Sequence, residues 1–544
     1  MTQFLEGALL LVRRTLFNLF PALNTGQSTG QTDADCSACF TEAGLKAYLL
    51  EMAKQRYGGL FGTTVPVYGY GPYGTYPEYL KTEGDVTSDT NTQVDGVDEA
   101  DFVENDGDYI YTAHNGQLTI TRADDLSVAS QSNLSGDVAG EYLSGDRLTV
   151  ITQSGGGWYG PMVKMAYPGY WGPWKPQTTV TVYDVTDRNA PTVVSQTVFD
   201  GAYESSRSVD GVVYVVMQRS VNLPAPRYTE TPIVYVKDPV LQADPAAASM
   251  IRYDPNAPIA YRTYETWDEY VARVGDDIVD LSLPHAYSVD ADGNTVDLGV
   301  VAGAEDIVRP HTSSDQGQQV LTVVSVDSSS GTFADGVGGL VSSHGGTVYM
   351  TPDALYVGNG EDGHTDAGYS SNTRIERFAI NGTDIAWQSS GIVPGTLINQ
   401  FAMDEKDGHL RVVTHDDSSN DNGLYVLNTD TMEEVGRLTG LAPGEQLYAV
   451  RYVGNTAYLV TFLRTDPLFA VDVSDPTAPT LLGELEVPGF SNYLQSVGDG
   501  LLLGIGQERD AGSWNTHVHA TLFDVSDPTA MTAVDREFLD PGYQ

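Results

Sequence analysis

The sequence predicts an all-β chain: an eight-bladed β-propeller, with seven blades as the alternative, bearing a short N-terminal α-helical arm and an insertion that contains one helix. Three observations predict it. A strand–turn–strand phrase recurs at distant places, as "VYDVTDRNAPTVVSQTVFDG" (182–201), "LFAVDVSDPTAPTLLGELEVPG" (468–489) and "LFDVSDPTAMTAVDREFLDPG" (522–542). A small turn holding Gly or Asp leads an apolar alternation at 105–113, 144–152, 209–217, 352–360, 406–414, 453–462 and 497–506, with a looser copy at 314–327, giving eight units. The last three copies follow at about the length of a four-stranded blade, the mark of radial repetition. A unit of this kind cannot bury its apolar faces alone, so copies must stack on one another.

The N-terminal segment 1–57 opens on a short apolar run, Phe4 to Val12, followed by Arg13-Arg14 in a faint likeness of a twin-arginine signal with no clear cleavage site after it. Leu45, Tyr48, Leu49 and Met52 then recur at helical spacing after Thr41, with Lys54 and Arg56 in the last turn and Gly58 to stop the helix. Residues 58–92 are rich in Gly, Pro and Tyr and read as a linker, and the whole N-terminal arm, 1–92, is a candidate for self-association. The propeller is expected over 93–544, interrupted at 155–176 and 219–305. The first interruption carries Trp158, Tyr159, Tyr167, Tyr170, Trp171 and Trp174, rings that either stack on a glycan or peptide or pack against the second insertion. In the second, Thr266 to Glu269 form a capping-box pattern that predicts a helix to about Asp280.

Within the recurring phrase, Asp472, Ser474 and Asp475 are placed to bond nearby backbone amides while Pro476 presets φ for the turn. The phrase thus connects two outer strands, and the following Gly leads to the next blade.

With 73 acidic and 28 basic residues, the net charge of −45 argues against nucleic acid or an anionic membrane as partner. Acidity either keeps an extracellular or salt-exposed protein soluble or serves divalent cations. No run of about 18 apolar residues exists to span a membrane. Cys36 and Cys39 lack the further ligands of a zinc site and read as a local disulfide, favouring an extracellular, cell-surface or periplasmic location.

Several stretches resemble a family of secreted bacterial and archaeal proteins with a C-terminal β-propeller domain, distantly similar to WD40 propellers. They are "TQVDGVDEADFVENDGDYIY" (92–111), "RTYETWDEYVARV" with "LPHAY" (262–287), "GIVPGTLINQFAMDEKDGHLRVVTH" (391–415) and residues 440–494, whose "DVSDPTAPTLLGEL" also looks like an LVIVD-type repeat. The resemblance implies fold and export more than chemistry, and carries over no particular activity. It also implies members that continue for about one more blade. Ring closure is then expected either from strands near Phe102 completing the last sheet or from a neighbouring chain.

Among residues that bear chemistry, Asp404, Glu405, Arg411, Glu445 and Arg451 either tie blades together or line the channel mouth. Asp95, Asp98, Glu99 and Asp101 around Gly96 supply hard oxygen ligands of the type calcium takes, though not in EF-hand order; 290–297 and 416–423 are poorer versions, and turn formation explains all three without metal. His517 and His519 share a strand face on which a transition metal has a pair of ligands. No local catalytic motif occurs. The leading expectation is a non-enzymatic binding or assembly module for a protein or glycan, with calcium as the cofactor to consider. Its rivals are an extracellular enzyme, hydrolase or quinoprotein-like, at the channel mouth, and a self-assembling structural subunit.

Overall fold

The structure, a computed structural model, describes residues 36, 38–68, 93–154, 176–233, 258–310, 319–341, 346–365, 368–462, 466–487, 489–509 and 516–539. The chain divides into two units, Met1–Ser37 and Ala38–Gln544. Of the first only Cys36 is described; every blade belongs to the second.

Seven sheets are built on a four-strand antiparallel meander. Blade 1 holds Val103–Asn105, Tyr109–His114, Gln117–Arg122 and Val128–Asn133; blade 2 holds Asp137–Ser144, Arg147–Ser154, Gln177–Asp184 and Thr192–Asp200. Blade 3 holds Ala202–Val209, Val212–Ser220, Gln319–Asp327 and Val337–Val341. Blades 4 to 7 span 347–394, 403–441, 446–487 and 490–538, each as four consecutive strands.

The count of eight units is therefore one too many among the described residues. The copy at 314–327 is not a new blade: Gln319–Asp327 pairs along its whole length with Val212–Ser220, the strand of the copy at 209–217. The long insertion separates the second and third strands of one sheet, and both kept the turn-led alternation because both are central strands, buried on two faces. Strands near Phe102 do not complete the last sheet either, since Val103–Asn105 opens blade 1 and pairs with Tyr109–His114.

The recurring turns are Asx turns. Asp184, Asp472 and Asp524 each accept the amide two residues on, at 2.8–3.0 Å, and Asp187, Asp475 and Asp527 do so again inside the same loop. They hold the strand-3-to-strand-4 corner as a knob that packs on the preceding blade. At five junctions the knob meets a residue just past a bulge in the preceding fourth strand: Ser130, Ser195, Ser389, Gly436 or Gly483. Ser130 Oγ donates to Arg188 O at 2.8 Å, Gly331 sits against Ser195, and Ser389 Oγ donates to Thr429 O at 3.5 Å. Gly436 lies under Pro476 and Thr477, and Gly483 under Pro528 and Thr529, with no room for a Cβ. Between blades 3 and 4, where the fourth strand is short, Ser325 Oγ donates to Thr383 O at 2.6 Å instead.

Each consecutive pair of blades, from 1–2 to 6–7, shares a cluster of buried apolar side chains. Among the described residues no cluster joins blade 7 to blade 1.

The N-terminal helix and the insertion of blade 3 form one accessory body. The predicted helix is Glu42–Tyr57, capped by Thr41, whose Oγ1 accepts from Gly44 N at 3.1 Å. Its buried face, Leu45, Leu49 and Ala53, packs on Tyr270, Val274, Ile278 and Leu283 of the insertion. Part of the expected linker is a strand: Thr64–Tyr68 joins Pro258–Tyr264 and Tyr228–Pro232 in a three-stranded sheet. The capping box at Thr266 and Glu269 is present, but the helix is Trp267–Val274, broken at Gly275 before a short Ile278–Ser282 turn. Replacing Thr266 by Ala should cost about 1 kcal/mol locally, read as faster amide exchange over 267–274 with little change elsewhere. His285–Val289 and Thr295–Val300 then return to widen blade 2 to six strands.

Candidate functional site

The segment predicted as a calcium loop lies against the first strand of blade 3 and the start of blade 5. Asp98–Glu99 adds to the first strand of blade 3, with Glu99 opposite Arg207 and Asp98 opposite Ser208. Val97 is buried, and Val94 packs against apolar clusters of two junctions. Gln93 Nε2 donates to Gln400 O and Met403 O at 3.0 and 2.8 Å. Gln400 Nε2 donates to both Glu99 oxygens at 3.0 Å, and its Oε1 accepts from Arg207 Nη2 at 2.6 Å. Three side chains from separate parts of the chain, Glu99, Gln400 and Arg207, thus lock one another by alternating donors and acceptors, while Gln93 ties the same segment to backbone carbonyls.

Arg451, from the first strand of blade 6, lies over the Phe401 ring at 5.1 Å, and that ring meets Tyr493 of blade 7 edge-on at 5.8 Å. Burial lowers the guanidinium pKa, opposed by the nearby Tyr493, Glu99 and Asp404. Of the other four charged residues singled out in the sequence, Arg411, Glu405 and Glu445 reach across blades, and Asp404 holds Arg411. Arg411 pairs with Asp404 and donates to Gly454 O of blade 6 at 2.9 Å. Glu405 accepts from Tyr356 of blade 4 at 2.8 Å. Glu445 accepts from Thr461 Oγ1 at 2.6 Å, while its carbonyl takes Asn422 Nδ2 of blade 5 at 3.0 Å. Burial raises the Asp404 pKa, and Arg411 offsets part of the rise.

The four carboxylates considered for calcium are not gathered. Asp95 is exposed, Asp98 and Glu99 alternate along a strand, and Asp101 is buried where its backbone bridges Glu141. Among the described residues no set of three or more His, Cys, Asp or Glu side chains stands close enough to hold a metal ion. The poorer acidic runs are turns: Asp290 accepts from Asp292 N and Asn294 N, and Asp416 from Ser418 and Ser419. His519 is buried, which pushes its pKa down to about 4 with help from Arg536, while His517 is half-buried beside Phe538. Neither cysteine is a free thiol; both Cys36 and Cys39 are in the disulfide form. Trp158, Tyr159, Tyr167, Tyr170, Trp171 and Trp174 lie outside the described residues.

Sequence reasoning missed Glu141 in the first strand of blade 2. It is fully buried, neither carboxylate oxygen has a hydrogen bond of normal geometry, and burial raises its pKa to about 8. Nearby amides of Ala113 and Glu104 offset part of that rise, and the charge of Asp101 adds to it. Glu204, one residue into the bulge of the next first strand, is raised by burial to about 7. An ionisable residue between Gly140 and Tyr142, at an inner-strand position, was the available signal.

Four-stranded antiparallel meanders packed face to face in sequence define a β-propeller. The chain belongs to the family described as "Beta propeller domain", which it matches over residues 87–543. It is 28% identical over 480 residues to an uncharacterized protein of Methanocaldococcus jannaschii, covering 84% of this chain and 70% of the relative. An uncharacterized protein of Archaeoglobus fulgidus is 39% identical over 167 residues, 31% of this chain and 25% of that one. Among solved structures, Kluyvelomyces marxianus Hsv2 aligns over 80% of this chain and 95% of its own, at 8% identity and a TM-score of 0.30, a likeness too loose to inform fold or function.

Proposed function

We propose that this propeller is a non-enzymatic binding or assembly module working outside the cytoplasm, at the cell surface or in an extracellular structure, which offers one face of blades 2 and 3 to a protein or glycan. The observation that carries the reading is where the two insertions leave. Residues 155–176 follow the second strand of blade 2 and the long excursion follows the second strand of blade 3, these strands ending at Ser154 and Ser220 respectively. In meanders that radiate from one axis, all second-to-third-strand connections emerge on the same side. The strand ends that flank the two insertions, Ser154 with Gln177 and Ser220 with Gln319, therefore belong to one side of adjacent blades, the usual origin of recognition loops on a rigid scaffold. The acidic surface and the disulfide form of both cysteines support a location outside the cytoplasm.

Intrinsic tryptophan fluorescence of the full chain, titrated with soluble glucans, mannans and peptidoglycan fragments and followed by sedimentation for protein association, tests this. Binding should be lost at least tenfold in a Trp158→Ala, Trp171→Ala, Trp174→Ala variant of unchanged melting temperature. Equal binding by that variant, or turnover of any of these polymers, overturns the proposal.

A further inference from the structure

Asn-x-Ser/Thr, the sequence that N-linked glycosylation reads, occurs at two places in the chain, Asn133-Leu134-Ser135 and Asn381-Gly382-Thr383. The fold presents them differently. Asn133 ends Val128–Asn133, the outer edge strand of blade 1, and the chain then leaves for the first strand of blade 2. Leu134 is turned inward: its N–H donates to Gly116 O at 2.8 Å and its side chain packs on the apolar cluster shared by blades 1 and 2. Asn133 and Ser135, on either side of it, are left exposed together. Gly136 follows with a φ of +95° and lies against Gln153 of blade 2 with no room for a Cβ, which fixes the path of the segment. Among the described residues the Asn133 amide makes no hydrogen bond, so a sugar placed on it displaces no contact of the fold.

The second sequence is a turn pressed on the preceding blade. Gly382 has a φ of +59°, and its carbonyl accepts from the Tyr214 hydroxyl at 2.5 Å; Thr383 O accepts from Ser325 Oγ at 2.6 Å. Both donors belong to blade 3. Asn381 is exposed, but Thr383, whose hydroxyl must be read with it, is half-buried in this doubly tied turn. A transferase has to hold the asparagine and the hydroxyl two residues on at once. A segment at the end of an edge strand yields to that grip more readily than a turn clamped between two blades.

We infer that Asn133 is the acceptor of an N-linked oligosaccharide and that Asn381 is not. The bond made joins Asn133 Nδ2 to C1 of the first sugar. The bond broken joins that carbon to the phosphate of a lipid-linked oligosaccharide; the lipid phosphate leaves with the electron pair, and the amide gives up one proton to the transferase's base. The inference rests on the location outside the cytoplasm proposed above. The sugar is carried by this chain and is not the ligand of the face proposed for blades 2 and 3.

The test has two arms. In the first, the full chain is purified separately from the cytoplasm, envelope and medium of the cells that make it, and its tryptic peptides are mapped by mass spectrometry. Peptide 123–147 should carry an oligosaccharide increment and peptide 378–406 none. The increment should vanish in Asn133→Gln and in Ser135→Ala and return in Ser135→Thr, each at an unchanged melting temperature. An unmodified 123–147 in chain recovered from envelope or medium, an increment that survives Asn133→Gln, or an increment on 378–406 overturns the inference. In the second arm, the folded chain made without sugar is given a single-subunit oligosaccharyltransferase that reads Asn-x-Ser/Thr, together with its lipid-linked donor. One oligosaccharide should be gained, at Asn133. Failure of this transfer overturns the acceptor wherever the chain resides. Transfer at Asn133 here, with a native chain found unmodified and confined to the cytoplasm, upholds the acceptor and removes the proposed location instead.

Discussion

Glu141→Gln will make the protein more stable at pH 8 and change it little at pH 4.5. A carboxyl whose folded pKa is raised to about 8 holds its proton in the folded chain after the unfolded chain has lost it. Its contribution is complete below the ordinary carboxylate value of 4.5 and is lost as pH rises through 8. The shift corresponds to about 4–5 kcal/mol at its upper bound, lost chiefly between pH 5 and 8. Glutamine has nearly the same shape and cannot ionise, so the difference between variant and wild type should grow with pH over that window and then level. Urea unfolding at half-unit pH steps measures it. A difference independent of pH would mean that Glu141 is solvated or ion-paired in solution. On the acid side, burial of His519 works with the opposite sign: its depressed pKa of about 4 withdraws stability as pH falls below 6.5, so Glu141→Gln should also expose an acid limb that His519→Asn removes.

Gly436→Ala will destabilise the protein by about 3 kcal/mol or more, and Asp535→Ala by less than about 0.5 kcal/mol, although both occupy the same place in their blades. A methyl at Gly436 would lie 2.2 Å from Pro476 O and 2.9 Å from Thr477 Cα, so the rigid backbone of the next blade's knob must move. Asp535 is exposed and carries no knob among the described residues. Chemical denaturation of both variants, with Gly483→Ala as a second notch, provides the measurement. Equal effects at 436 and 535 would show that the knobs are not seated as described.

What was legible in the sequence was local. Asp472 and Asp475 announce their turn because the bonds they make lie two residues away, and Thr266 with Glu269 announces a helix start for the same reason. The blade count required knowing that strand 319–327 returns to strand 212–220, a pairing across the whole insertion that periodicity cannot see. The acidic run at 95–101 looked like one ligand set, yet an extended backbone sends Asp98 and Glu99 to opposite sides, and the chain spends Glu99 on Gln400. Asp404, Glu405 and Arg411 were recognisable as important, but their partners, Gly454 and Tyr356, sit on other blades. Ser130, Ser195, Ser389, Gly436 and Gly483 have no common local motif; only the register that aligns one blade with the next exposes them as a set.

The interruption of blade 3 bears on how the chain comes off the ribosome. Blades 4 to 7 are runs of neighbouring strands whose pairings close over short turns, so each completes as soon as it is synthesised. Blade 3 must hold Val212–Ser220 unpaired on that side until about a hundred more residues have emerged, at a loop-closure cost of about 3 kcal/mol relative to a tight turn. Its high contact order makes it the slow step, and an early nucleus in the accessory body, where the 42–57 helix meets 267–283, shortens the effective loop and brings Gln319 back to its partner. The insertion is thus its own assembly aid: weakening that helical contact should slow refolding of blades 2 and 3 together while blades 5 to 7 regain protection at their normal rate.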